Sequence, residues 1–483
     1  MKKSDIGLIG LAVMGQNLVL NMSDHGFSVA VYNRTADKTQ DFIRERAAGR
    51  DIVGAESLPE LVDHLERPRR IMLMIKSGKP VDLTIEALLP LLEAGDIIID
   101  GGNSFFQDTI RRHHDLAKKG IHYIGAGVSG GEIGARNGPS IMPGGARQAW
   151  ESVRPILQGI SAKVDGDVPC CEWMGADGAG HYVKMVHNGI EYGFMQLIAE
   201  TYAVMNHILQ LSYPDMASVF KEWDQGKLNS YLVEITGDIL AFQDTDGSPL
   251  VENILDAAGQ KGTGRWTSES ALLLGIPLTL ISEAVFARAL SALKEERVQA
   301  ATHFNTLPAL LVQDKGSLQM DLENALYVAE IISYAQGFML FREAAAEYGW
   351  NLDYASIANI WRDGCIIRSA LLKHIRDAFS LTPDLKNLLL APFFQQVVTQ
   401  NIASLRRVVT AAVEAGVPVP AFSSALAFFD GYRADVLPAN LIQAQRDFFG
   451  SHTYERTDKP RGEFFHTNWT GEGGDVTAST YTA

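Results

Sequence analysis

The sequence predicts an α/β N-terminal domain followed by a large all-α domain with an internal duplication and a C-terminal tail. Three observations predict it. Through residue 177, short apolar runs alternate with helical stretches, the pattern of a parallel sheet covered by helices. From residue 178 long helical stretches replace those runs. After about Phe449 the chain turns rich in Gly, Thr and Ser with scattered aromatics, a composition that builds no core alone. The expected domains are 1–177, 178–440 and 441–483.

The strand-length runs are 6–9, 29–32, 71–75, 97–99 and 122–124, and Gly, Asn, Asp or Ser follows most of them. The long helical stretches are 180–211, 276–301 and 318–348. Within the helical region Asp215-x-Ala217-Ser218-x₄-Trp223-x₂-Gly226 recurs as Asp353-x-Ala355-Ser356-x₄-Trp361-x₂-Gly364. Gly193-Phe194-Met195 likewise recurs as Gly337-Phe338-Met339. A duplicated helical unit with one changed loop length accounts for both echoes.

Composition narrows the function. The 483 residues suffice for two or three domains, and 46% hydrophobic with 20% charged residues excludes disorder over most of the chain. A formal charge of −15 argues against a nucleic-acid binder, which must neutralise phosphates. The three cysteines, Cys170, Cys171 and Cys365, are too few for a disulfide framework and match no zinc spacing. A reduced cytoplasmic protein is expected. No secretory apolar segment follows Met1, and no apolar stretch reaches the length of a membrane span.

At the N-terminus, Gly10-Leu11-Ala12-Val13-Met14-Gly15 follows a strand-like run and opens a helix. It is a G-x-A-x-x-G variant of the Rossmann dinucleotide fingerprint. Gly10 permits the tight turn, small Ala12 lets the backbone approach a pyrophosphate, and Gly15 lets helix and strand pack closely. The helix N-terminus then offers free N–H groups to the phosphates. After the second run an NAD binder places an acidic residue for the ribose 2′-hydroxyl. Here the residues are Asn33-Arg34-Thr35. A guanidinium without a carboxylate suits a 2′-phosphate, so NADP is expected.

The segment from His181 to Met195 carries the chemistry. Lys184, His187, Asn188 and Glu191 stand at i, i+3, i+4 and i+7, on one face of a helix whose other positions are largely apolar. A cation, an imidazole, an amide and a carboxylate on a buried helix need a reason. The duplication supplies a control. Neither register of the second copy keeps the stripe: the matching residues are Val328, Ile331, Ile332 and Ala335, or Leu326, Ala329, Glu330 and Ser333. The scaffold therefore does not require it. Lysine and glutamate two turns apart can act as base and acid, and burial is expected to lower the first pKa and raise the second.

Three further stretches offer anion-binding groups. They are 127–131, reading Gly-Val-Ser-Gly-Gly; 259–265, with Lys261 and Arg265 among glycines; and the cations Arg288, Arg446 and His452. Taken singly, such groups are more often surface or salt-bridge residues than ligand contacts.

Ordered strings along the chain resemble the decarboxylating 6-phosphogluconate dehydrogenase family over essentially its whole length. They are Gly-Leu-Ala-Val-Met-Gly-Gln-Asn at 10–17, Asn-Arg-Thr at 33–35, Asp-Gly-Gly-Asn at 100–103, Gly-Val-Ser-Gly-Gly-Glu at 127–132, Lys-Met-Val-His-Asn-Gly-Ile-Glu-Tyr at 184–192, Gly-Gln-Lys-Gly-Thr-Gly at 259–264 and Gln-Ala-Gln-Arg-Asp at 443–447. The resemblance implies NADP-dependent oxidation of 6-phosphogluconate to ribulose 5-phosphate and carbon dioxide, a step of the pentose phosphate pathway, without a metal. It implies Lys184 as base and Glu191 as the acid that protonates C1. It places Asn103, Ser129, Gly130, Gly131, His187 and Asn188 on the sugar acid. Tyr192, Lys261, Arg288, Arg446 and His452 fall on its phosphate side. Ile75, Lys76 and Ser77 match a cofactor loop in which a small apolar residue is expected where Ser77 stands, and Asn103 serves the cofactor too. It further implies a homodimer in which Arg446 and His452 come from the other subunit and the tail threads through the partner. Two other readings compete. A shorter-substrate 3-hydroxyacid dehydrogenase would lack the long second half and the many cations, and an idle NADPH sensor would not need Lys184 and Glu191.

Overall fold

The computed structural model describes residues 3–304, 314–472 and 477–478. It divides into two units, 1–426 and 427–483.

The first unit opens with a seven-stranded sheet. Its strands are β1 (Ile6–Ile9), β2 (Val29–Tyr32), β3 (Ile52–Gly54), β4 (Arg70–Leu73), β5 (Ile97–Asp100), β6 (His122–Val128) and β7 (Ile141–Gly145), in the order β3-β2-β1-β4-β5-β6-β7. All neighbours pair parallel except β6 with β7. Strands buried on both faces read as continuous apolar runs. The two-residue period then sorts them: Ile6, Leu8, Val29, Val31, Ile97 and Ile99 join one core, while Ile9, Ala30, Ile71, Leu73 and Ile98 join the other. The strand order reverses between β1 and β4, where open α/β sheets bind ligands beyond their C-terminal ends.

The five expected strands are present, displaced by a few residues at most. Two strands of this sheet went unrecognised. β3 has only three residues, and β7 reads Ile-Met-Pro-Gly-Gly, whose Pro and Gly argue against a strand unless it lies at an edge. β7 is that edge.

Two long helices dominate the region after the sheet, the site helix Ala179–Val204 and its companion Lys315–Tyr348. The duplication explains how they cross. A Cβ on Gly193 would lie 2.8 Å from Ser333 Oγ, and one on Gly337 would lie 2.7 Å from Ile190 Cδ1. The repeated glycines thus let each helix approach its counterpart. Farther along, Ser230 and Ser369 form an antiparallel bridge between near-equivalent points of the two copies.

Two helical expectations need correction. The site helix stops at Val204 and continues as a wider π turn, Met205–Leu209, ended by left-handed Gln210. The stretch 276–301 is two helices, Thr279–Ser291 and Lys294–His303, so Arg288 lies on the first of them. The break follows from Ser291. Its hydroxyl donates to Arg288 O, its carbonyl accepts from Arg297, and Lys294 and Arg297 both pair with Asp256.

The second unit is organised around one carboxylate. Asp447, on the helix Ala439–Gly450, is fully buried and accepts from Thr453 N, His466 Nδ1, Thr467 N and Trp469 Nε1 at 2.8–3.0 Å. Burial alone would raise its pKa, but these donors outweigh that and hold it below the usual range. Strands Tyr454–Glu455 and Phe464–Phe465 pair antiparallel beside it. The tail thus makes a local polar centre in place of an apolar core. Gly473, Gly474 and Tyr481 of the tail lie outside the described residues.

Candidate active site

The nucleotide end is built as its residue types require. Gly10 has φ +108, and a Cβ there would lie 2.4 Å from Met74 O, so only glycine fits the turn. A Cβ on Gly15 would sit 1.9 Å from Gly10 O. The helix Val13–Asp24 starts at Ala12 with no side-chain cap, which leaves its first N–H groups available to an anion. Leu11 N donates to Asn33 Oδ1, which ties the glycine turn to the end of β2. A cleft of about 680 Å³ opens here, lined by Gly10, Ala12, Asn33, Arg34, Thr35 and Lys38, and continued by Ile75 and Lys76. Ser77 lies half-buried in the same loop after β4. Arg34 is exposed and, among the described residues, makes no hydrogen bond or ion pair. Lys38, one turn farther on, is a second cation that the sequence reading missed. The i, i+4 spacing from Arg34 was the available signal. Glycine turn, uncapped helix and unpaired cations together fit a phosphorylated dinucleotide.

The stripe of the site helix is buried as expected. Lys184 is 6% exposed and His187 0%. Lys184 Nζ lies 3.5 Å from His187 Nδ1, which also meets Asn188 Oδ1 at 3.1 Å and lies 3.7 Å from Glu191 Oε2. His187 Nε2 reaches Ser129 Oγ at 3.2 Å. Asn188 Nδ2 donates to Thr263 Oγ1, and Trp361 packs edge-on to the His187 ring. The stem of Lys184 lies against Gly127, where a Cβ would come within 2.3 Å of Lys184 Cβ.

Electrostatics follow from this burial. Desolvation lowers the Lys184 pKa, and the nearby Glu191 and Cys365 offset part of the shift. Desolvation together with the Lys184 charge puts His187 well below its ordinary value. Burial raises Glu191 while Lys184 and Arg288 pull it back, and its side chain remains 21% open. The helix therefore presents a lysine biased towards its free base and a carboxyl biased towards its acid form.

The other predicted residues, Tyr192 apart, lie on elements outside this helix. Ser129, Gly130 and Gly131 form the turn after β6. Asn103 is exposed in the turn after β5. Asp100, which the sequence reading did not select, shapes that turn by accepting from Gly102 N, Ser104 Oγ and Tyr123 Oη. Its place in the Asp-Gly-Gly-Asn string was the only signal. The Arg288 guanidinium stacks 3.5 Å over the Tyr192 ring and donates to Gly259 O. Tyr192, Arg288 and the loop carrying Lys261 therefore converge. Thr263 was also missed, although it lies inside the glycine-rich string that flagged Lys261. Arg446 and His452 belong to the second unit. There Arg446 donates to Gln443, and the His452 ring lies edge-on to Phe449.

The sequence pattern of the 6-phosphogluconate dehydrogenase NAD-binding domain matches residues 5–175, and that of the C-terminal domain matches 180–469. The chain is 57% identical to the decarboxylating 6-phosphogluconate dehydrogenase of Rattus norvegicus, with 100% of both chains covered. It is 58% identical to that of Haemophilus ducreyi, with 99% of each covered. Among solved structures it superposes on Plasmodium falciparum 6-phosphogluconate dehydrogenase with a TM-score of 0.93 at 46% identity, covering 96% of this chain and 100% of the other. That enzyme has been described in its apo form, with its cofactor NADP+ and with its substrate 6-phosphogluconate.

Proposed function

The chain belongs to the 6-phosphogluconate dehydrogenase family, and we propose that the residues gathered on its site helix carry out the family's reaction in this cleft. The activity is oxidative decarboxylation of 6-phospho-D-gluconate to D-ribulose 5-phosphate and carbon dioxide, with reduction of NADP. The observation that carries the residue assignment is the buried stripe, on which Lys184 is pushed towards the free amine and Glu191 towards the acid.

NADP, when bound, accepts the hydride from C3. The groups proposed to hold it are the turn 10–15, Asn33, Arg34 and Thr35, the loop 75–77 and Asn103. As hydride leaves C3, Lys184 takes the proton of the C3 hydroxyl. The resulting 3-keto acid is a β-keto acid, and loss of its carboxylate as carbon dioxide places the electron pair in an enediol. Lys184 returns its proton to the carbonyl oxygen as that pair arrives. Glu191 then protonates C1 while the free Lys184 amine takes the proton of the enediol hydroxyl, which yields the ketose. Ser129, Gly130, Gly131, His187 and Asn188 hold the sugar acid, with His187 kept neutral by its dry surroundings so that it hydrogen-bonds without repelling a protonated Lys184.

The phosphate side is proposed to be Tyr192, Lys261 and Arg288, completed by Arg446 and His452 from the second subunit of a homodimer. Exposed Leu441, Ile442, Phe448 and Phe449 on and beside the helix that bears Arg446 support that reading, since a monomer gains nothing from displaying them. The domain organisation we favour remains 1–177, 178–440 and 441–483. No helix among the described residues is long and apolar enough to cross a membrane. A cytoplasmic location is proposed, because all three cysteines are free and buried. The test is reduction of NADP by 6-phosphogluconate with carbon dioxide trapped in parallel. One carbon dioxide per NADPH is expected, and NADPH formation without carbon dioxide would overturn the proposed sequence of steps.

A further inference from the structure

We propose that His113, His114 and Asp177 form a binding site for one divalent transition-metal ion of the zinc type, separate from the reacting groups. The two histidines stand on the helix Phe106–Ala117, and Asp177 immediately precedes Gly178, the N-cap of the site helix. Their three ligand atoms lie within 4.8 Å of one another. His113 Nε2 is 3.3 Å and His114 Nε2 is 3.9 Å from the same Asp177 oxygen.

These separations suit a shared metal ion as well as an ion pair. Zinc takes nitrogen and oxygen ligands at about 2.0–2.2 Å in a tetrahedron, which sets neighbouring ligand atoms roughly 3.3–3.5 Å apart. The His113 separation already has that length, and the His114 side chain, 58% exposed, is free to turn inward by a few tenths of an ångström. A direct charge-assisted hydrogen bond would be shorter, about 2.7–2.9 Å.

The orienting contact expected of a ligating histidine is also present. His113 Nδ1 faces Tyr123 O at 3.4 Å, so an N–H on that nitrogen leaves the Nε2 lone pair directed to the ion. Two imidazoles and one carboxylate are a borderline donor set that suits zinc, cobalt or nickel and disfavours calcium or magnesium. The fourth position would be held by water, since the cluster lies at the surface. An ion here would fasten the helix Phe106–Ala117, which follows the turn carrying Asn103, to the start of the helix carrying Lys184.

The experiment uses the full chain stripped with a chelator, then titrated with zinc against a chromogenic indicator of micromolar affinity. One zinc per chain that competes with the indicator is expected, with a raised melting temperature in its presence. Cobalt in the same position should show the visible bands of a four-coordinate ion. His114→Gln, a surface change, should lower zinc affinity at least about tenfold and abolish both the cobalt bands and the zinc-induced melting shift. Its metal-free turnover should be unchanged. Asp177→Asn should weaken zinc in the same way. Wild-type protein that does not compete with the indicator would overturn the proposal, and so would His114→Gln protein that binds zinc as the wild type does.

Discussion

Lys184 Nζ and His187 Nδ1 lie 3.5 Å apart, one turn from each other on a helix that is buried on nearly every side. Two bases in one desolvated pocket oppose each other's protonation. Both are held below their ordinary values, Lys184 by burial against the opposing pull of Glu191 and Cys365, and His187 by burial and then by the Lys184 charge. Burial thus biases Lys184 towards its free-base form.

Lys184 and Glu191 should fail at different steps. Lys184→Met removes the proposed base, so hydride transfer should fall by about 10²–10⁴-fold. Glu191→Gln should retain oxidation and lose turnover at the protonation of C1. Single-turnover traces of reduced cofactor, compared with released ketose, separate the two. Near-normal oxidation by Lys184→Met would remove Lys184 from the role of base.

The pH profile follows from the same pair. Glu191 raises the Lys184 pKa against the lowering by burial. In Glu191→Gln that support is lost, so the Lys184 pKa should fall further. The oxidation rate should then rise with pH at lower values than in the wild type. Initial rates of cofactor reduction from pH 5 to 10 test this.

Arg34 should govern the choice of cofactor, with Lys38 assisting. Hydrogen bonds to charged groups contribute about 1.5–3 kcal/mol, roughly 10–100-fold in affinity. Arg34→Ala should raise KM for NADP by that factor and leave KM for NAD nearly unchanged. Lys38→Ala should act in the same direction with a smaller effect. Steady-state kinetics with both cofactors decide it, and equal effects on the two would show that Arg34 does not read the 2′-phosphate.

Glu330 should make stability depend on pH. It is fully buried on the companion helix, accepts a hydrogen bond from Ser369, and burial raises its pKa to about 8 from an ordinary 4.5. The folded state therefore holds a proton that the unfolded chain releases. The stability this contributes is full below about pH 4.5 and is lost as pH rises towards 8. Glu200, raised by burial to about 7, adds to the same trend. Glu330→Gln should flatten the slope and raise the melting temperature at pH 8.5, as calorimetry at several pH values would show.

Truncation after Gly462 should unfold the second unit. It removes His466, Thr467 and Trp469, three of the four residues that donate to buried Asp447. A buried carboxylate stripped of partners costs several kcal/mol. The affinity of the proposed dimer and the activity should fall together, most at low protein concentration. Sedimentation and kinetics on the truncated chain are the measurements. A dimer that persists at nanomolar concentration with unchanged kinetics would leave the tail dispensable.

The sequence by itself determined the parts that depend on short-range spacing. Apolar runs gave the five central strands, because strands buried on both faces need no partner to be recognised. The Gly10–Gly15 spacing located the nucleotide turn, and the i, i+3, i+4, i+7 spacing put Lys184, His187, Asn188 and Glu191 on one face. Tertiary structure decided what depends on distant partners. β7 is a strand only because β6 offers it an edge. The Ser291 break depends on Asp256, and Thr263 and Asp100 matter through the side chains they reach. The bias of Lys184 towards a free amine also belongs to this second group. A pKa is set by how much water the fold removes and which charges it brings near, and neither is written in the spacing of residues along one helix.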